Sequence, residues 1–129
     1  NKQYHKYLTI VNDALSKLTQ DLQIRELVPS DHNDYLKLMK EFTKYEYNTS
    51  LTEFTHYIKH HKNDVKTLVI YSQQNMNIIG AGSIFCLRKL HNNPVGQIED
   101  VFIQESYRER GLGKMLIDKL VYIGKVSTY

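Results

Sequence analysis

The 129-residue chain carries 41% hydrophobic and 24% charged residues, the balance of one soluble globular domain with no room for a second. Its net charge of +3 comes without a Lys/Arg block or interleaved aromatics, which argues against nucleic-acid binding and suits a small polyanionic ligand. A single cysteine excludes a disulfide framework, no signal peptide opens the chain, and no apolar run approaches the roughly eighteen residues of a membrane span, so a cytoplasmic protein with a buried Cys86 thiol is expected.

Leu8, Val11, Leu15 and Leu18 fall at helical spacing and predict an amphipathic N-terminal helix over residues 4–20, with residues 1–21 as a segment apart from a domain at 22–129. Leu22 to Leu27 reads as a short strand ended by Pro29. Ser30-Asp31 resembles the cap of a second helix that runs to Phe42 on Leu36, Met39 and Phe42. After a tyrosine-rich loop from Thr43 to Thr49, Ser50-Leu51-Thr52-Glu53 forms a capping box, and Leu51, Phe54, Tyr57 and Ile58 are expected as the buried face of a third helix. Asn48-Thr49-Ser50 matches a glycosylation sequon, read as chance in a cytoplasmic protein. His56 and His60 share a helix face beside His61, but no further ligand follows at metal-binding spacing, so no metal is assigned and a solvated helix end is expected. Val65 to Tyr71 and Ile78 to Leu87 predict a hairpin across the polar turn Ser72 to Asn75, with Gly80 and Gly82 permitting close backbone approach or a bulge. Arg88 to His91 and the turn Asn92-Asn93-Pro94 then lead into a last strand.

That strand opens the most informative stretch, Gly96 to Lys125. Ile98, Val101, Phe102 and Ile103 form a β-branched and aromatic run interrupted by Glu99 and Asp100, and a mostly buried strand is expected. Leu112, Met115, Leu116, Leu120 and Ile123 then recur at i, i+3, i+4, i+8 and i+11, the stripe of an amphipathic helix. Gly111 and Gly113 at the junction let a loop turn its N–H groups inward. With the unpaired amides of a helix start, and with Arg108, Arg110 and Lys114 around them, the junction is suited to a phosphate or pyrophosphate. The Walker pattern fails, because Gly113-Lys114 is followed by Met115 and position 108 is not glycine; the dinucleotide fingerprint fails at its first glycine.

What remains, Arg108-Glu109-Arg110-Gly111-Leu112-Gly113, resembles the R/Q-x-x-G-x-G/A signature of the GNAT superfamily of acetyl-CoA-dependent N-acetyltransferases. The upstream Gly96-x-Ile98-Glu99-Asp100-Val101, the turn Tyr107-Arg108 and the helix from Gly111 to Gly124 are similar to one branch of it, the glucosamine-6-phosphate N-acetyltransferases. The resemblance implies an α/β (α+β) fold with a mixed, mostly antiparallel sheet flanked by helices. It also implies a further strand, helix and strand that are not present before Tyr129, so an incomplete domain is expected.

For the reaction, the resemblance implies acetyl-CoA as co-substrate and glucosamine 6-phosphate as acceptor, with a homodimer completing the acceptor site. Amides from Glu109 to Lys114, that is Glu109, Arg110, Gly111, Leu112, Gly113 and Lys114 beside Arg108, would take the pyrophosphate. Val101, Phe102 and Ile103 would pair with the pantetheine like an added strand, and the N–H near Val101 would face the developing oxyanion. Glu99, Asp100 and Val101 are the candidate catalytic positions and also line the sugar-phosphate site with Thr43 and the cationic turn Arg88, Lys89, Leu90 and His91. Adjacent on a strand, Glu99 and Asp100 are expected on opposite faces, which excludes an acid/base pair. No Cys/His or Ser/His arrangement points to a covalent intermediate, so direct attack in a ternary complex is expected. A GNAT enzyme for another small amine or a protein N-terminus, and an acetyl-CoA-binding regulatory module, remain alternatives.

Overall fold

The computed structural model describes residues 2–19 and 21–126. They fold as α1 (Lys2–Thr19), β1 (Leu22–Glu26), α2 (His32–Thr43), α3 (Leu51–His60), β2 (Val65–Ser72), β3 (Asn77–Leu87), β4 (Val95–Ile103) and α4 (Leu112–Val126). Short 3-10 turns at Pro29–Asp31 and Glu105–Tyr107 precede α2 and follow β4. The four strands make one antiparallel sheet in the order β1-β2-β3-β4, flanked by helices, an α+β arrangement. Among the described residues no helix is long and apolar enough to cross a membrane.

Strand alternation divides the core between the two sheet faces. Leu22 and Ile24 of β1, Leu68 and Ile70 of β2, Ile79 and Ile84 of β3 and Ile103 of β4 share one cluster with Leu112, Leu116, Leu120 and Ile123, the expected stripe of α4. Val69, Ile78 and Ala81 meet Leu38 and Met39 of α2 in a second cluster. Gly82 sets how near α4 lies, because a Cβ there would stand 3.1 Å from Leu120 Cδ1 and 3.2 Å from Leu116 Cδ2 and Val101 Cγ2. A larger residue would push the helix off the sheet.

The N-terminal helix packs on the same face. Tyr4 is buried with Leu22 and Ile24, Leu8 and Val11 lie against that cluster, and Tyr7 stacks on Tyr122 of α4 with centroids 3.9 Å apart. Tyr4 Oη donates to Glu26 Oε1 (2.9 Å), and the N–H of Ile24, on edge strand β1, donates to Asn12 Oδ1 (2.8 Å). The expected contributions of Leu15 and Leu18 to this face lie outside the described side chains.

Three local expectations are corrected. Asp31 does not cap α2 with its side chain; its carboxylate accepts two bonds from Arg25 (2.7 and 2.8 Å) and one from Val28 N (2.9 Å), so it joins β1 to the turn before α2. Of the expected α3 face only Phe54 is buried, while Leu51 and Tyr57 are exposed, because the helix stands off the sheet across a cavity. Nor is β4 mostly buried. It is the edge strand opposite β1, and Val95, Gly96, Gln97, Glu99 and Asp100 are exposed.

Lys119 of α4 is 2% exposed. Burial presses its pKa down to about 8 against an upward pull from Asp118. Because that value lies below the ordinary 10.5, the folded chain releases the proton first as pH rises, and stability should climb from about pH 8 upward. Lys119→Met keeps the stem and removes the charge. It should be more stable at neutral pH and lack the climb between pH 8 and 10, a window below the raised titrations of Tyr7, Tyr35 and Tyr57. Parallel stability profiles for the two proteins by urea denaturation would contradict this.

Candidate active site

The site is built where β4 loses its regular pairing. Phe102 pairs with Ala81 and Glu99 with Ser83, so Asp100 and Val101 together stand opposite Gly82, and Asp100 takes φ +55°. This β-bulge bends the strand and turns its backbone groups out of the ladder. The strict alternation expected for Glu99 and Asp100 therefore fails at Asp100. Glu99 is exposed and accepts a hydrogen bond from Gln97 Nε2, whereas Asp100 borders a cavity on the α2 and α3 side.

From the bulge the chain runs through Ile103 into a turn fastened at several points. Arg108 Nε donates to Ile103 O (2.8 Å) and its guanidinium lies 5.0 Å from the Phe102 ring centroid. Tyr107 Oη accepts from Asn75 Nδ2 (2.5 Å), and Arg110 lies over the Tyr107 ring. Glu109 at φ +66° and Gly111 at φ +76° reverse the backbone into α4. The first hydrogen bond inside α4 is donated by Met115 N to Gly111 O (3.1 Å), which leaves the preceding amides at the helix start without an intrahelical partner.

Val101, Phe102 and Ile103 form one wall of a groove of about 450 Å³, and Tyr107, Arg108, Glu109, Gly111, Leu112 and Gly113 form the other. The groove is open to an incoming anion. A Cβ on Gly111 would meet nothing within 4 Å, and one on Gly113 only Ile103 Cγ1 at 3.8 Å. β4 pairs with β3 alone among the described residues, so its outer edge offers N–H and C=O groups to an extended ligand. Arg110 and Lys114 flank the groove without lining it, and Lys114 Nζ pairs with Asp118 (3.3 Å).

On the other side of the bulge a cavity of about 710 Å³ lies between α2, α3 and the sheet. Asp100, Ser83 and Thr67 come from the strands, and Tyr35, Tyr47, Tyr57, Glu53, His56 and His61 from the helices and their connection. Burial first, then the charge of Asp100, pushes the Tyr35 hydroxyl up to about 12; the same two causes raise Tyr57. Both tyrosines hence stay protonated donors facing a carboxylate.

The structure thus brings Val101 to Gly113 round the groove and Asp100 to the cavity, but it places the other sequence candidates elsewhere. Thr43 Oγ1 donates to Met39 O (2.9 Å) and accepts from Tyr45 N (3.2 Å), closing the end of α2. Arg88 pairs with Asp64 at 3.6 Å, and Lys89, Leu90 and His91 are exposed in the β3–β4 connection. That connection lies past the pairs Ile84↔Ile98, Phe85↔Gln97, Cys86↔Gly96 and Leu87↔Val95 from the bulge. Tyr35, Tyr57 and Ser83 were not singled out as site residues by sequence, and only the tyrosine-rich loop before α3 signalled an aromatic wall. His56 and His60 stack at 4.1 Å, and among the described residues no three His, Cys, Asp or Glu side chains converge on a metal position.

An antiparallel sheet whose bulged edge strand delivers an anion-receptive glycine turn and helix start is the architecture of an acyl-CoA acyltransferase. The profile of the acetyltransferase (GNAT) family matches residues 31–126, and the chain belongs to that family, whose fold uses acetyl-CoA. It is similar to glucosamine 6-phosphate N-acetyltransferase of Trypanosoma brucei brucei, 31% identical over 81% of this chain and 73% of that protein. A probable glucosamine 6-phosphate N-acetyltransferase of Drosophila melanogaster is 32% identical over 74% of this chain and 46% of its own length. The crystal structure of glucosamine-6-phosphate N-acetyltransferase from Arabidopsis thaliana superposes with a TM-score of 0.73 at 25% identity, over 81% of this chain and 74% of that one.

Proposed function

We propose that the chain transfers the acetyl group of acetyl-CoA to the amine of glucosamine 6-phosphate, with residues 22–129 as the catalytic domain and 1–21 as its N-terminal extension. The observation that carries this is the bulge at Asp100 and Val101, which sets a donor groove and an acceptor cavity on either side of one backbone kink. The relatives' activities support the acceptor.

Acetyl-CoA supplies an acetyl thioester. The chain's own contribution is to hold and orient. Free amides at the start of α4 receive the pyrophosphate, and the outer edge of Val101 to Ile103 pairs with the pantetheine amides, which leads the thioester toward the bulge. The N–H of Val101, turned out of the ladder, meets the negative charge that develops on the carbonyl oxygen. Asp100, at the mouth of the cavity, attracts the acceptor's ammonium, while Tyr35 and Tyr57 remain neutral donors there. Asp100 takes one proton of the ammonium, the freed amine attacks directly, the C–S bond breaks, and the second proton lost by the nitrogen passes to the departing thiolate as CoA-SH. The product, N-acetylglucosamine 6-phosphate, would enter UDP-N-acetylglucosamine synthesis, and the enzyme would work as a cytoplasmic homodimer.

A specific observation favours a second acceptor class. No Lys or Arg is among the residues that line the cavity, which is aromatic and carries Glu53 and Asp100, a lining that suits an organic cation. The discriminating experiment supplies acetyl-CoA with glucosamine 6-phosphate or with glucosamine and follows free thiol. The sugar phosphate should react at least tenfold faster, because a remote dianion contributes binding energy that is used in the transition state. Equal rates would remove the sugar-phosphate assignment and favour a different small amine.

A further inference from the structure

A second cleft, of about 420 Å³, opens where α1 runs beside the start of α4. Tyr7 and Val11 form one wall; Gly111, Lys114, Met115, Asp118 and Lys119 form the other. Gly111 also lines the donor groove, so the two spaces meet at the glycine turn. Lys119 is the unusual member. It is 2% exposed and has no hydrogen bond or ion pair with any described residue, while its neighbour Asp118 pairs with Lys114. Its stem is buried, and the Asp118 carboxylate that pulls on its charge is already engaged by Lys114, so an added anion would stabilise the ammonium. Burial presses its pKa down to about 8, and an incoming phosphate would counter that penalty on its charge.

The position fits one phosphate in particular. Lys119 follows Gly113 by six residues, about 9 Å of helix, and long helical side chains lean back toward the N-terminus, so its ammonium reaches toward the turn. Acetyl-CoA carries, beyond its pyrophosphate, a ribose with a 3′-phosphate. A donor whose pyrophosphate sits on the start of α4 has that ribose within reach of a cleft continuous with the turn. Val11, Met115 and the Tyr7 ring give the ribose and base an apolar, partly aromatic wall. The GNAT profile begins at residue 31, so the α1 wall lies outside the family match.

We propose that the α1–α4 cleft is an anion subsite in which Lys119 receives the 3′-phosphate of the acetyl-CoA donor, an inference that rests on the donor reading above. The test is calorimetric titration of the chain and of Lys119→Met with CoA and with 3′-dephospho-CoA. The unmodified chain should bind CoA at least tenfold more tightly, as expected for a charge-assisted contact with a phosphate. In Lys119→Met that preference should fall below twofold while affinity for 3′-dephospho-CoA is retained, which also reports an intact fold. No preference in the unmodified chain, or a preference that survives the substitution, would overturn the subsite. Equal loss of both ligands in Lys119→Met would also overturn it, because Lys119 would then act on the pyrophosphate or on the fold. An unmodified chain that binds neither ligand would refute the donor reading itself and the subsite with it.

Discussion

Gly113→Val should abolish measurable acetyl-CoA binding while the protein still folds. In the folded chain a Cβ at 113 meets only Ile103 Cγ1, at ordinary contact distance, so the branch point itself displaces nothing of the protein. It projects instead into the groove beside the amides that would hold the pyrophosphate. A loss of at least 100-fold, about 2.7 kcal/mol, is expected by calorimetry. Gly111→Val should lose binding too, but with a second cost, because φ +76° strains any β-branched residue by about 1–3 kcal/mol. The pair separates the two roles of glycine at this turn, room for a ligand at 113 and backbone conformation at 111. Unchanged affinity in both variants would remove the turn from the donor site.

Asp31→Ala should be among the most destabilising single substitutions away from the apolar core. The carboxylate satisfies Arg25 twice and the N–H of Val28 once, at 4% exposure, so its removal strands a guanidinium and an amide together. The hydrogen bond to Asp31, with its charge, raises the Arg25 pKa despite burial, so the arginine stays charged and unpaired in the variant. A loss of about 3 kcal/mol is expected, with a fall in Tm of about 10 °C. Arg25→Met combined with Asp31→Leu should recover part of it, since replacing both partners removes the stranded charge. A single variant within about 0.5 kcal/mol of the parent would mean that the pair is screened by water and holds little together.

Features whose partners lie within a few residues were legible in the sequence. The α4 stripe from Leu112 to Ile123 is a local periodicity, and it forms the core as expected. Ser50 and Glu53 exchange both bonds of the capping box, at 3.1 and 3.2 Å. The glycine turn could be read as anion-receptive because a helix start and two glycines define it locally. Other features depend on what lies across space. Gly82 permitted a bulge, but only its pairing with β4 shows that Asp100 takes the unusual φ. Asp31 has the composition of a cap, and the guanidinium six residues earlier claims it once β1 and the 3-10 turn meet. Tyr57 sits on the apolar periodicity of α3, yet that face looks into a cavity, because α3 stands off the sheet. Lys119 interrupts the α4 pattern, yet it is buried and shares a cleft with Tyr7 and Val11 of α1.

The bond from Ile24 N to Asn12 Oδ1 reaches further than the stability of one helix. A sheet's outermost strand is a template on which any extended segment can polymerise, and on this border a single side-chain amide from α1 occupies a backbone donor that a recruited chain would need. The opposite border, β4, is left open by the described residues. Among the described residues the sheet therefore has a polarity in self-association, blocked at Ile24 of β1 and permissive along β4. A copy that added to this sheet would have to do so through the strand that carries the bulge, so growth of an aggregate and occupation by the donor would compete for the same backbone.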